Sequence, residues 1–227
     1  MKKKLLTVIL SAGTATLAAP LSFDLLGGSE LDSRNQSYSY LGLVIRKPLS
    51  EDSRALFRLW TDYLTYRFPQ AGETVRAEAP AFHLAVGAGK SVGAWSFSLW
   101  SGWERRDTRV RPDLPGVEVK GVTDSLILQF EAYGGFGNGT DVSFITSYSS
   151  GTSYLWSRAR VKRRISGGKL ALGLEVLGHG NEDYRAFQSG PLIEVPVARL
   201  YLTLRGGLKN SSQGAGFYGG VELYSGF

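Results

Sequence analysis

The chain has 227 residues, no Cys, 12% aromatic and 20% charged residues, and a formal net charge of +6. The lack of Cys excludes disulfide frameworks, thiolate metal sites and Cys nucleophiles, and so many aromatics with so little net charge exclude an intrinsically disordered chain. Three of the 26 Lys and Arg are Lys2, Lys3 and Lys4; without them the rest carries only +3 against 20 acids, too little to point to a nucleic-acid partner.

Those three lysines open the chain, an apolar run from Leu5 to Leu10 follows, and Thr16, Ala18, Ala19 and Pro20 close the segment. This is the layout of a secretory signal, so residues 1–19 are expected to be a cleavable signal peptide and residues 20–227 one exported domain. The apolar run is shorter than the roughly 20 residues a membrane-spanning helix needs.

Beyond Pro20 the apolar and polar residues alternate, with breaks at Gly, Asn, Asp and Pro. The pattern predicts about twelve strands, at 21–30, 37–47, 54–68, 75–88, 93–107, 121–133, 141–150, 153–165, 169–179, 184–194, 198–208 and 215–227. In the sixth, Leu126, Leu128, Phe130 and Ala132 share one face, opposite Ser125, Gln129 and Glu131. In the ninth, Leu170, Leu172, Leu174 and Val176 oppose Ala171, Gly173, Glu175 and His179, and in the eleventh Leu200, Leu202 and Leu204 oppose Arg199, Tyr201, Thr203 and Arg205. Between residues 75 and 87 alternation does not fix a register. The connection from Asp107 to Gly121 is long and Pro-rich, whereas Ser166-Gly167-Gly168 and Glu194-Val195-Pro196-Val197 are tight. An even strand count with both termini in the periplasm puts the long loop outside, as in outer-membrane barrels.

A soluble sandwich also alternates, but three features favour a barrel in lipid. Aromatics gather toward strand ends (Tyr38, Tyr40, Tyr63, Tyr66, Trp95, Trp100, Trp103, Tyr154, Trp156) as in interfacial girdles. The polar faces carry Gly, Ser, Thr, Tyr and charges of both signs. The last strand alternates and ends on Phe227, the form of the C-terminal assembly signal that the barrel-assembly machinery reads. The expected fold class is therefore all-β: a single antiparallel transmembrane β-barrel of about twelve strands in the cell outer membrane, its edges closed because lipid tolerates no unpaired strand.

The polar faces would then line a lumen. Arg58, Arg158, Arg160, Lys162, Arg199 and Arg205 are expected inside with Asp62, Glu104, Glu131, Glu175 and Glu222. A lining so balanced in sign reads as an ion-pair network more readily than as an ion-selective channel. Arg158, Arg160 and Lys162 lie one strand from Glu175, and Arg205 one strand from Glu222; Arg with Tyr and Trp also suits a sugar chain. Arg105, Arg106, Arg109 and Arg111 are assigned to the external loop, where they would meet solvent, lipopolysaccharide phosphates or an acidic glycan.

Catalytic signals are weak. Only His83 and His179 would serve a Ser nucleophile as base, and neither has a Ser close in sequence, although Ser157 or Ser189 would approach His179 from a neighbouring strand. Glu182 and Asp183 are too few for a dedicated Ca²⁺ site, and Gly134 to Gly139 reads as a hairpin turn and not a nucleotide loop. No catalytic residue, metal site or cofactor is assigned.

Several stretches, in order along the chain, resemble one family. They are Ser37-Tyr38-Ser39-Tyr40-Leu41-Gly42, Phe57-Arg58-Leu59-Trp60-Thr61-Asp62-Tyr63, Trp103-Glu104-Arg105-Arg106-Asp107-Thr108 with Pro112-Asp113, and Tyr148-Ser149-Ser150-Gly151-Thr152-Ser153-Tyr154. Gly173-Leu174-Glu175, Gly180-Asn181-Glu182-Asp183-Tyr184-Arg185-Ala186 and Gly216-Phe217-Tyr218-Gly219-Gly220-Val221-Glu222 complete the set. Together they resemble the cellulose biosynthesis proteins called BcsS, outer-membrane barrels of bacterial cellulose-secretion systems. The resemblance implies a non-enzymatic component that forms or anchors the exit site for the glucan. It implies cellulose and other cellulose-synthase system components as partners, beside outer-membrane lipid, and transfers no catalytic residue. A narrow diffusion channel for anionic oligosaccharides is the alternative, and an outer-membrane lipid hydrolase a more distant one.

Overall fold

A computed structural model describes residues 20–227, so the expected signal peptide lies outside the described residues. The described chain forms twelve strands: β1 (Ser22–Asp32), β2 (Ser37–Pro48), β3 (Ser53–Gln70), β4 (Glu73–Val92), β5 (Trp95–Arg111), β6 (Gly121–Phe136), β7 (Thr140–Ser149), β8 (Tyr154–Ile165), β9 (Leu170–Gly180), β10 (Arg185–Val197), β11 (Leu200–Ser211) and β12 (Gly214–Gly226). Each pairs antiparallel with its chain neighbours, and β12 pairs back onto β1, closing the barrel. At that seam Phe23 and Phe227 exchange backbone hydrogen bonds of 3.0 and 2.8 Å, so the last residue completes the ladder.

The sorting of side chains shows why the wall takes this form. On β9, Leu172, Leu174 and Val176 are exposed on the outer surface, while Ala171, Glu175 and Leu177 are buried inside. On β6, Leu126 and Leu128 face out while Ser125 and Ile127 face in. A water-soluble sheet would bury the leucines, each worth about 1.5–3 kcal/mol when taken from water. Here they gain that only if lipid surrounds the barrel.

The wall is uneven in height. Strands β3, β4, β5 and β6 have 18, 20, 17 and 16 residues, against 10 in β7. The excess stands at the end opposite the termini. Its inner face is a small apolar core of Val75, Ala77, Val110 and Val117, with Tyr66, Phe68 and Leu114 packed on it. Leu114 and Val117 belong to the β5–β6 loop, which folds inward as a cover. This corrects the sequence expectation at Arg105, Arg106, Arg109 and Arg111: all four are strand residues of β5, and the loop proper is residues 112–120. The outer face of the tall sector carries Arg67, Arg76, Arg109 and Arg111 in place of apolar residues, a pattern that lipid contact does not dictate. Arg199 is corrected too. It is not part of a strand: it sits exposed in the turn between β10 and β11, beside Ala198 at φ 55°.

Candidate functional site in the barrel interior

Strand parity carries three cations and three acids into one interior cluster. From β8, Arg158 donates to Glu222 at 2.8 Å, and Arg160 donates to the same carboxylate at 2.6 and 2.9 Å. Arg160 also meets Glu175 of β9 at 2.5 Å. Arg205 of β11 reaches Glu175 at 2.8 Å and Glu30 of β1 at 2.7 Å. Gln188 donates to Glu30 at 2.8 Å, and the Tyr218 hydroxyl donates to Glu175 at 3.4 Å. Because β8 and β12 are four strands apart around the wall, the Arg158–Glu222 and Arg160–Glu222 bonds cross the interior and do not run along it. With Glu175 fully buried and Arg205 only 5% exposed, water screens these attractions little, and each charge is matched, as an interior at low dielectric requires.

A second cluster lies across the barrel on β3, β4 and β5. His83 Nε2 is 2.7 Å from Asp62 and 3.3 Å from Glu104. Arg106 closes the group, donating to Asp62 at 2.9 Å and to the Ala79 carbonyl at 2.9 Å, with Glu104 at 3.4 Å. Smaller pairs continue around the lining: Lys162 with Glu194 at 2.6 Å, Lys209 with Asp32 at 2.6 Å, Arg164 with Asp141 at 3.0 Å, and Arg46 with Asp24. Glu131 accepts from Gln129 at 2.6 Å. Arg58 differs from the rest. It is buried with no acid in contact among the described residues, and its guanidinium lies over the Trp100 and Trp60 rings at 5.0 and 5.7 Å, a cation–π arrangement. Tyr40 stacks on the same Trp60 at 4.6 Å.

Ten of the eleven residues assigned to the lining therefore take inward-facing strand positions, and Arg199 lies in the β10–β11 turn. The two pairings expected between neighbouring strands occur as Arg160–Glu175 and Arg205–Glu222, the latter at 3.3 Å. Lys162 instead finds Glu194. Sequence reasoning missed Glu30, Glu194, Asp32, Lys209 and Arg106 as interior groups. Parity would have found Arg106, two residues from Glu104 on one strand. Glu30 and Asp32 share a face with Asp24, a signal the glycines at 27 and 28 obscure.

The Ser–His pairings considered for His179 do not form. His179 points inward, and the Tyr154 hydroxyl and His179 Nδ1 are hydrogen-bonded. Ser157 and Ser189, its candidate nucleophiles, lie on the outer face of the wall, where Ser157 pairs with Thr146 at 2.8 Å.

The model of the cellulose biosynthesis protein BcsS family matches residues 27–227. No curated protein matches the chain. Among solved structures, an outer membrane channel from Pseudomonas putida superposes with a TM-score of 0.60 at 7% identity, over 93% of this chain and 97% of that one. The KdgM porin gives 0.54 at 6% identity, over 90% and 99%. The translocator domain of the autotransporter NalP from Neisseria meningitidis gives 0.54 at 13%, over 90% and 86%. These likenesses bear on architecture alone, and that architecture is the outer-membrane barrel.

Proposed function

The chain belongs to the cellulose biosynthesis protein BcsS family, and from that premise we propose that this outer-membrane barrel anchors the exit site of the glucan without conducting the polymer through its own bore or catalysing a reaction. The observation that carries this reading is the ionic bridge from β8 to β12, in which Arg158 and Arg160 meet Glu222 across the interior. Twelve strands make a bore well below that of the 16–18-stranded porins, and a neutral, hydrogen-bonded bridge across it stands in the way of a stiff sugar chain. In this reading the termini face the periplasm, the tall β3–β6 sector faces outward, and cellulose-synthase system components are the partners. Phe227, which closes the ladder against Phe23, serves as the element the assembly machinery engages.

The test pairs a cellular and a physical measurement. Deletion of the gene should lower secreted cellulose and leave synthase activity in isolated inner membranes intact. The purified barrel in a planar bilayer should pass no sustained current. Unchanged cellulose output would overturn the glucan role, and a steady wild-type current blocked by anionic oligosaccharides would favour the diffusion channel instead.

A further inference from the structure

The outer face of the tall sector carries a feature that neither the lipid belt nor the interior network explains. Arg67 of β3 is directly opposite Arg76 of β4, and Arg76 is directly opposite Arg111 of β5. Three exposed arginines thus stand in one cross-strand row. Like charges set opposite one another destabilise a sheet unless something neutralises them. The local acids are too few to do so. Arg76 has Glu78 at 3.2 Å, and Asp107 is engaged by Arg109 at 2.7 Å. Among the described residues, Arg67 and Arg111 have no acidic partner. The opposite face of these strands is the apolar core under the β5–β6 loop, which holds the backbone rigid and fixes the spacing of the row.

From this row we infer a binding site for the phosphate groups of a phosphorylated glycolipid, lipopolysaccharide, in the outer leaflet. Guanidinium forks recognise phosphate bidentately, and several around one anion supply the missing counter-charge. Height separates the two lipid sources of phosphate. Arg67 lies four residues beyond the outward Tyr63 on β3, and Arg76 six beyond the outward Phe82 on β4. At about 3.3 Å per residue and a tilt near 40°, the row stands roughly 10–15 Å above that aromatic level. The headgroup layer of an ordinary phospholipid is only about 5–8 Å deep, whereas phosphates carried on a saccharide headgroup reach higher. The site rests on the outer-membrane setting and not on the glucan role, so the failure of one leaves the other standing.

The experiment uses the barrel refolded in detergent free of lipopolysaccharide, with folding checked by heat-modifiable gel migration. Wild type should bind rough lipopolysaccharide with a phosphorylated heptose core saturably, and the affinity should fall as salt is raised. Arg67→Gln/Arg111→Gln should weaken binding about tenfold or more, as expected for losing charged hydrogen bonds. Arg163→Gln/Arg199→Gln, the same charge change at the other end, should bind like wild type. Phosphatase-treated lipopolysaccharide should bind wild type at least about tenfold more weakly. Equal binding of treated and untreated lipid, equal binding of phosphatidylglycerol, or an equal loss in the two variants would each overturn the assignment. The two wild-type lipid comparisons keep the test decisive even where a variant misfolds.

Discussion

Glu222 is the acid on which the cross-barrel bridge converges, so replacing it with Gln tests the network most directly. Glu222 accepts from Arg158 at 2.8 Å and from Arg160 at 2.6 and 2.9 Å, and Arg205 Nε stands 3.3 Å away without hydrogen-bond geometry. The substitution keeps the volume but removes the charge, leaving Arg158, Arg160 and Arg205 against Glu30 and Glu175. Arg160 and Arg205 retain Glu175, while Arg158 retains only its stack over Trp156 at 5.3 Å. Removing one partner of a buried pair costs about 3–5 kcal/mol. Because two of the three arginines keep an acid, the low end applies, about 3 kcal/mol. Arg158→Met removes a single ion pair from Glu222 and should cost about 1–2 kcal/mol. The double variant should lose less than the sum, by about 0.5–3 kcal/mol, since the two residues touch. Urea unfolding of the refolded barrel in lipid vesicles, followed by Trp fluorescence, measures all three. A Glu222→Gln barrel within about 0.5 kcal/mol of wild type, or strict additivity in the cycle, would refute a bridge formed by these side chains.

Two more outcomes follow from the wall and the second cluster. Arg106→Met leaves Asp62 and Glu104 facing each other across His83 with one fewer cation. It should destabilise the barrel by about 3 kcal/mol, with a partial return in Arg106→Met/Glu104→Gln, read by the same urea titration. Gly207→Ala would place a methyl against backbone, with Gly190 Cα only 2.6 Å away and the Ser189 carbonyl nearer still. No rotamer relieves a backbone clash, so the loss should be about 1–3 kcal/mol, whereas Gly178→Ala, with open space around it, should be neutral in the same assay.

The barrel was legible in the sequence wherever lipid dictates the outer face. On β6, β9 and β11 the outward runs Leu126-Leu128-Phe130, Leu170-Leu172-Leu174-Val176 and Leu200-Leu202-Leu204 take every second position, and parity alone assigns Glu131, Glu175 and Arg205 to the interior. Legibility failed where that dictation stops. On β4 the inner face is Val75, Ala77, Ala79 and Ala81 and the outer face includes Pro80, Phe82 and Leu84, so both sides read apolar because the β5–β6 loop covers the inner one. At the end of β5 the strand leaves the membrane, arginines occupy both faces, and a loop was the natural reading of Arg105 to Arg111. Arg199 continues the alternation of β11 in sequence but falls in the turn before it, where alternation carries no facing. The cross-barrel contacts were not legible at all. Which acid meets Arg158 depends on the curvature of a closed wall, and periodicity along a strand contains no such information.

Unequal strand length gives the molecule an azimuth. A uniform cylinder can spin about the membrane normal without presenting anything new to its surroundings, but one with a raised quadrant has a front and a back. A neighbour docked against β7–β12 would find a low threshold at the rim, and one docked against β3–β6 a parapet. A fibre leaving the cell beside such a barrel would be screened on one bearing and free on the other, so the rotational setting of the barrel within an assembly would fix the direction in which the product departs.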